Sequence, residues 1–171
     1  MCIRMGIRKY WWAIVAFMGF SAFAVAHILE VYGQWPACRL CHIERKIFLV
    51  MGAMALLRII LTHVGSSKSW GKFLGSSIAI TSVLGAVTAA YHTSIQFHWI
   101  GLPTFCRLPE ADTFDQFMAL PTATCDQWTM TFLSLPAPLY LFFLWTAVAY
   151  LTWRFLKEES LFDARQHRPY F

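Results

Sequence analysis

Acidic and basic residues are missing from four long stretches of this chain. Tyr10–Leu29 has no Asp, Glu, Lys or Arg over 20 residues, and Ile47–Ser67 has only Arg58. Phe73–Leu102 and Gln127–Trp153 again have none. Each run is longer than a strand and lacks the two-residue alternation of a half-buried sheet. A helix of about 20 residues spans the ~30 Å hydrocarbon core of a bilayer, and lipid cannot satisfy an open sheet edge. The pattern therefore predicts an all-α integral membrane four-helix bundle in a single domain over 1–171, with spans at about 11–31, 42–63, 72–92 and 134–154. Loops at about 32–41 and 93–133 then share one end. Pro136 and Pro138 fall near the start of the fourth span, where an absent amide donor costs least.

Composition points the same way. The chain is 58% hydrophobic and 13% charged, against roughly 25% charged in soluble domains. A soluble domain of 171 residues has too little interior for that much apolar surface. The +5 net charge forms no basic stripe, which argues against nucleic acid as a partner. Its placement carries the information. The N-terminus, the 64–71 loop, the end of span two and the C-terminal tail hold ten bases against Glu158, Glu159 and Asp163. The opposite side holds Arg39, Arg45, Lys46 and Arg107 against Glu30, Glu44, Glu110, Asp112, Asp115 and Asp126. The positive-inside rule puts both termini in the cytoplasm and the two longer loops outside. A cleavable signal peptide fits less well. Its apolar core is usually 7–15 residues, shorter than this run, and its removal would disturb the charge asymmetry.

Five cysteines are present, and this topology sorts them. Cys2 lies inside, where thiols stay reduced; Cys38, Cys41, Cys106 and Cys125 lie outside, where disulfides persist. Cys38-Arg39-Leu40-Cys41 is a C-x-x-C at a helix start, where the macrodipole, Arg39 and Arg45 favour the reactive thiolate. Cys106 and Cys125 are separated by 18 loop residues and are open to another protein. Two such pairs suggest a relay by thiol–disulfide exchange. Three other readings stand beside it. The four cysteines can be structural bridges. Cys38–His42 also reads as C-x-x-C-H, the signature of a membrane-anchored c-type haem carrier with His42 as ligand. Four thiolates have the count for zinc, although the spacing does not demand it and no metal is expected.

Neighbouring residues sharpen the site. Arg45 is four residues beyond Cys41, so it shares that helix face one turn deeper. There it can stabilise negative charge on sulfur or on a bound oxygen, or simply snorkel to headgroups with Lys46 while Glu44 is solvated. His92, near the outer end of span three, can donate a hydrogen bond or a proton. Phe97, His98 and Trp99 read as interfacial belt residues, His27 as a packing residue, and Arg58 as snorkelling to the cytoplasmic face. Phe114, Phe117 and Met118, spaced i, i+3, i+4 among acids, predict a short amphipathic helix in the second outer loop, with Pro121 marking the return to Cys125.

The stretch Trp35-Pro36-Ala37-Cys38-Arg39-Leu40-Cys41-His42-Ile43-Glu44-Arg45 resembles the disulfide bond formation protein B (DsbB) family, whose pattern is C-x-L-C-x-x-E-R at the top of the second helix. Tyr91-His92-Thr93, the two loop cysteines and Cys125-Asp126-Gln127-Trp128, leading through Phe132 and Leu133, extend the likeness over nearly the whole chain. The resemblance implies a quinone-dependent protein-disulfide oxidoreductase in the bacterial inner membrane, with its active cysteines facing the periplasm. It implies Cys38, Cys41, Cys106 and Cys125 as catalytic residues, ubiquinone or menaquinone as cofactor, and a periplasmic DsbA-like thiol oxidoreductase as partner. The partner would attack a Cys106–Cys125 bridge at Cys106. Exchange with Cys38–Cys41 would follow, and Cys41, Arg45 and His92 would meet the quinone. Three features depart from the family: His42 completes a haem-like motif, the 107–124 loop is short, and Tyr140 stands where some members carry a tryptophan.

Overall fold

The computed structural model describes residues 2–33, 37–65, 68–106, 123–127 and 131–166, without the side chains of 2–9, 68, 132 and 162–166. The predicted loop helix around Phe114, Phe117 and Met118, together with Pro121, Trp35, Pro36, Trp128 and the side chain of Cys2, lies outside the described residues.

Among the described residues there are four long helices: α1 (Cys2–Val31), α2 (Arg39–His63), α3 (Lys68–Gln96) and α4 (Ala137–Gln166). Each contains an apolar stretch long enough to cross a membrane: Tyr10–Val31, Arg39–His63, Ser69–Gln96 and Ala137–Leu161. Large apolar side chains face outward along all four, among them Phe17, Leu57, Ile80, Val87 and Phe143. In water these would oppose folding; in lipid they cost nothing, and the architecture is a four-helix membrane bundle. The fourth helix starts at Ala137, not 134, because Thr131–Phe132 and Leu135–Pro136 pair antiparallel as a two-residue hairpin, β1 and β2, ahead of it. Its turn residues Leu133 and Ser134 both have positive φ, 50° and 62°.

Lipid-exposed helices gain little from hydrophobic burial against each other, so close packing holds them. The α1–α2 seam closes on glycine. A methyl on Gly19 would sit 2.7 Å from both the Gly52 Cα and the Phe48 carbonyl oxygen. At the α3–α4 seam, Gly85 accepts the Trp145 indole, which stacks on Phe48 with centroids 4.2 Å apart. Trp145, Met51, Ile78 and Val15 fill the middle of the bundle and are fully buried. Helices α1 and α2, α2 and α3, and α3 and α4 pack side by side. Helices α1 and α4 touch at the end near the chain termini, where Trp11 meets Phe155 and donates to the Thr152 hydroxyl at 3.3 Å.

Arg58 is placed differently from the sequence expectation. It does not reach out to headgroups. Its side chain is 7% exposed, lies 3.8 Å over the Trp12 ring, binds Glu159 of α4 at 2.8 and 3.0 Å, and donates to the Gly71 carbonyl. Burying the guanidinium is tolerable because acid, ring and carbonyl satisfy it within the bundle.

Candidate functional site

At the opposite end, α2 begins one residue after Cys38. Cys38 is the N-cap, with extended backbone (φ −86°, ψ 170°), and its sulfur accepts the Cys41 amide at 3.3 Å. A sulfur in that place takes the role usually filled by Ser or Asp and meets the positive end of the helix. Cys38 and Cys41 are thiols with sulfurs 2.8 Å apart. The hydrogen bond from the Cys41 thiol holds Cys38 below the usual thiol pKa, against the opposing effect of burial.

A polar string on α3 faces this pair. His92 Nε2 is 3.5 Å from the Cys38 sulfur, and its Nδ1 is 3.2 Å from Glu44 Oε1. Gln96, one helical turn on, lies 3.5 Å from His92 Nε2 and donates to the Gln127 carbonyl at 3.2 Å. Helix α3 therefore ties the dithiol to the segment that returns from the outer loop. That segment carries a disulfide joining Cys106, at the end of the Thr104–Cys106 turn, to Cys125, with Cα atoms 5.4 Å apart. Cys38, Leu40, Ile95, Cys106 and Cys125 form one buried cluster, against which Cys41, Tyr91 and Leu102 pack, so the loop cysteines are not open to another protein as the sequence suggested but covered, at 3% and 0% exposure. The two cysteine pairs, 65 or more residues apart in sequence, are neighbours.

Beneath the dithiol lies a cavity of about 550 Å³, the size of a small-molecule site. Its walls are mainly apolar, from Ala22, Val25, Ala26 and Leu29 of α1, Phe48 of α2 and Leu141 of α4. Polar groups enter from Glu30, Cys41, Glu44, Arg45, His92, Gln96, Thr131 and Tyr140. Cys41 lines the cavity and Cys38 does not, which gives the two sulfurs different neighbours. Arg45 is 9% exposed and paired with Glu30 of α1, while its Nε is buried with no hydrogen-bond partner among the described residues. That orphaned donor at an apolar cavity suits a flat ligand carrying carbonyl oxygens.

All six residues singled out in the sequence, Cys38, Cys41, Cys106, Cys125, Arg45 and His92, come together at this end. Arg45 is not a headgroup contact, and Glu44 is not solvated: it is 3% exposed and bound to His92. His27 is not a packing residue; its side chain is 59% exposed, stacked on Phe23 and 4.0 Å from Glu30. Sequence reasoning missed Glu30 and Gln96 as site residues. Glu30 is an acid at the end of an apolar span, a signal that it needs a partner; Gln96 carried no signal beyond its i+4 spacing from His92. The zinc alternative using four cysteines is excluded, since Cys106 and Cys125 are bonded to each other. His42 turns away from the dithiol, with Nε2 3.4 Å from Glu30 and its side chain 40% exposed.

Residues 8–155 match the family described as disulfide bond formation protein DsbB. No curated protein and no solved structure matches the chain. The family match lends no support to the c-type haem reading of Cys38–His42, and it accords with a bridged loop pair beside a C-x-x-C dithiol. Matched over most of its length and built as four apolar helices, the chain belongs to the DsbB family of membrane disulfide bond formation proteins, with the disulfide oxidoreductase activity that membership implies.

Proposed function

We propose that this protein oxidises a periplasmic DsbA-like dithiol protein and passes the electrons to ubiquinone or menaquinone in the bacterial inner membrane. The observation that carries this reading is the single buried cluster holding both cysteine pairs above an apolar cavity. In the proposed cycle, a partner thiolate attacks the Cys106 sulfur and Cys125 leaves as thiolate. The partner's second thiolate then displaces Cys106, so two electrons move from the partner to the loop pair. Exchange with a Cys38–Cys41 disulfide restores the loop bridge and leaves the inner pair reduced. A bridged loop with an inner dithiol is the arrangement expected once electrons have arrived at the inner pair.

A quinone bound in the cavity supplies a two-electron, two-proton acceptor. Arg45 and His92 are the residues to hold it, and Cys41 is the sulfur that faces it. Around it, the chain supplies binding and proton control. Arg45 offers a buried, permanently charged donor. His92 sits where it can take the Cys38 proton at Nε2 while Glu44 fixes Nδ1. Apolar walls exclude water. Net positive charge beside the termini supports a cytoplasmic placement of both chain ends and a periplasmic placement of the dithiol end.

Anaerobic turnover with reduced partner and a quinone analogue tests the proposal. Cys38→Ser and Cys41→Ser should stop quinone reduction, and Cys106→Ser and Cys125→Ser should stop electron transfer from the partner. Arg45→Met should raise the apparent KM for quinone about 10- to 100-fold, the value of a charge-assisted hydrogen bond of ~1.5–3 kcal/mol. Full turnover in either loop-cysteine variant would sink the relay.

A further inference from the structure

The reduced dithiol and His92 have a second chemical capacity. The ligand atoms of Cys38, Cys41 and His92 all lie within 4.8 Å of one another. We propose that the reduced inner pair, with His92 Nε2, is a site for a thiophilic divalent cation of the Zn²⁺ or Cd²⁺ class, and that oxidation abolishes it.

The distances support this. At Zn–S of ~2.3 Å and Zn–N of ~2.0 Å, tetrahedral ligands stand about 3.8 Å apart for S···S and 3.5 Å for S···N. Cys38 and His92 are already 3.5 Å apart. The sulfurs, at 2.8 Å, need to separate by roughly 1 Å, within reach of side-chain rotation at a helix start. The imidazole is oriented for the role. Glu44 binds Nδ1 at 3.2 Å, leaving Nε2 towards the sulfurs, as in the carboxylate–histidine–metal arrangement. Charge balances as well. Binding displaces the two thiol protons to solvent, so the dication meets two thiolates and is neutralised. Of the nearby bases, Arg45 is already paired with Glu30. Cys41 and His92 line the cavity, which gives the ion a way in, and three protein ligands leave a tetrahedral ion one open place. A Cys38–Cys41 disulfide has no thiolate to offer, so the site exists only when the inner pair is reduced. An ion held there would block reoxidation of that pair by occupying both sulfurs.

This inference depends on the proposed function only in that turnover would generate the dithiol; metal binding is measured without partner or quinone, so either can fail alone. The test uses full-length protein carrying Cys2→Ser, Cys106→Ser and Cys125→Ser in detergent, with the remaining pair reduced or oxidised and excess reagent removed. Cd²⁺ is titrated and thiolate-to-metal charge-transfer absorption is followed. One equivalent should bind the reduced form and none the oxidised form. Glu44→Gln should weaken binding about 10- to 100-fold, the usual effect of removing such a partner, and His92→Ala should weaken it at least as much. Metal-edge absorption spectroscopy of the reduced complex should report two sulfur ligands and one imidazole, a readout that needs neither the Glu44→Gln nor the His92→Ala variant to fold. Equal binding by both redox forms, or a metal shell without nitrogen, would overturn the proposal.

Discussion

Two sulfurs three residues apart are made unequal by their surroundings. Cys38 is the helix cap, receives hydrogen bonds from the amide and thiol of Cys41, and packs with the loop disulfide. Cys41 looks into the cavity. With its pKa lowered chiefly by the Cys41 thiol, Cys38 should reach half-ionisation below an ordinary thiol. The folded chain then favours the thiolate more than the unfolded chain does. Stability from this group is full above the unfolded thiol pKa of ~8.5 and is lost as pH falls through the lower folded value. Thiolate absorbance against pH, in a chain lacking Cys2, Cys106 and Cys125, checks it: Cys41→Ala should move the Cys38 midpoint upward, and Cys41→Ser should retain part of the depression. Glu44 acts one step removed, through His92. If that ring handles the thiol proton, Glu44→Gln should lower kcat by about 100-fold, at the lower end of the range for positioned proton transfer, with little change in quinone KM. An equal rise in KM with kcat intact would show that Glu44 supports the cavity wall instead.

At the scale of elements, seams decide where side chains meet. Helices α1 and α2 cross at Gly19 and Gly52, and that approach brings Glu30 across to Arg45. A methyl at Gly19 would strike backbone atoms, which cannot rotate away. Gly19→Ala should therefore destabilise the bundle by about 1–3 kcal/mol, the range for overpacking a tight interior. Thermal unfolding in detergent measures this, and an unchanged midpoint would mean that the seam relaxes. The hairpin before α4 shows another compromise. Two positive-φ positions would favour Asn-Gly, yet Leu133 and Ser134 stand there. The hairpin delivers Pro136 to a buried position and Thr131 to the cavity edge.

For the whole molecule, the two ends are held differently. Near the termini, α2 and α4 are joined by Arg58 and Glu159, with Trp12 of α1 beneath the guanidinium. Arg58→Met should cost about 2 kcal/mol or more, less than the ~3–5 of a fully buried pair because Glu159 is a quarter exposed. Adding Glu159→Gln should recover part of that loss by removing the unpaired acid; a double variant as unstable as the single one would argue against an ion-pair origin. The loss should also leave the dithiol end intact, since α1 and α4 open around the cavity there, and a latch at one end permits a ligand-sized gap at the other.

The number of helices and their membrane character follow from the sequence because each property is local: an uncharged run of about 20 residues has few other solutions in lipid. The C-x-x-C at a helix start was legible for the same reason, since its reactivity comes from the helix that contains it. Partnerships between helices were not. Nothing along the chain says that Glu44 meets His92, that Glu30 meets Arg45, or that Arg58 finds Glu159 48, 15 and 101 positions away. Those pairings depend on the rotation of each helix about its axis, which small-residue packing fixes only once all four are assembled. Tertiary structure thus decided that the acids and bases expected at the surface are interior, because a buried charge can persist only where another helix supplies its counterpart.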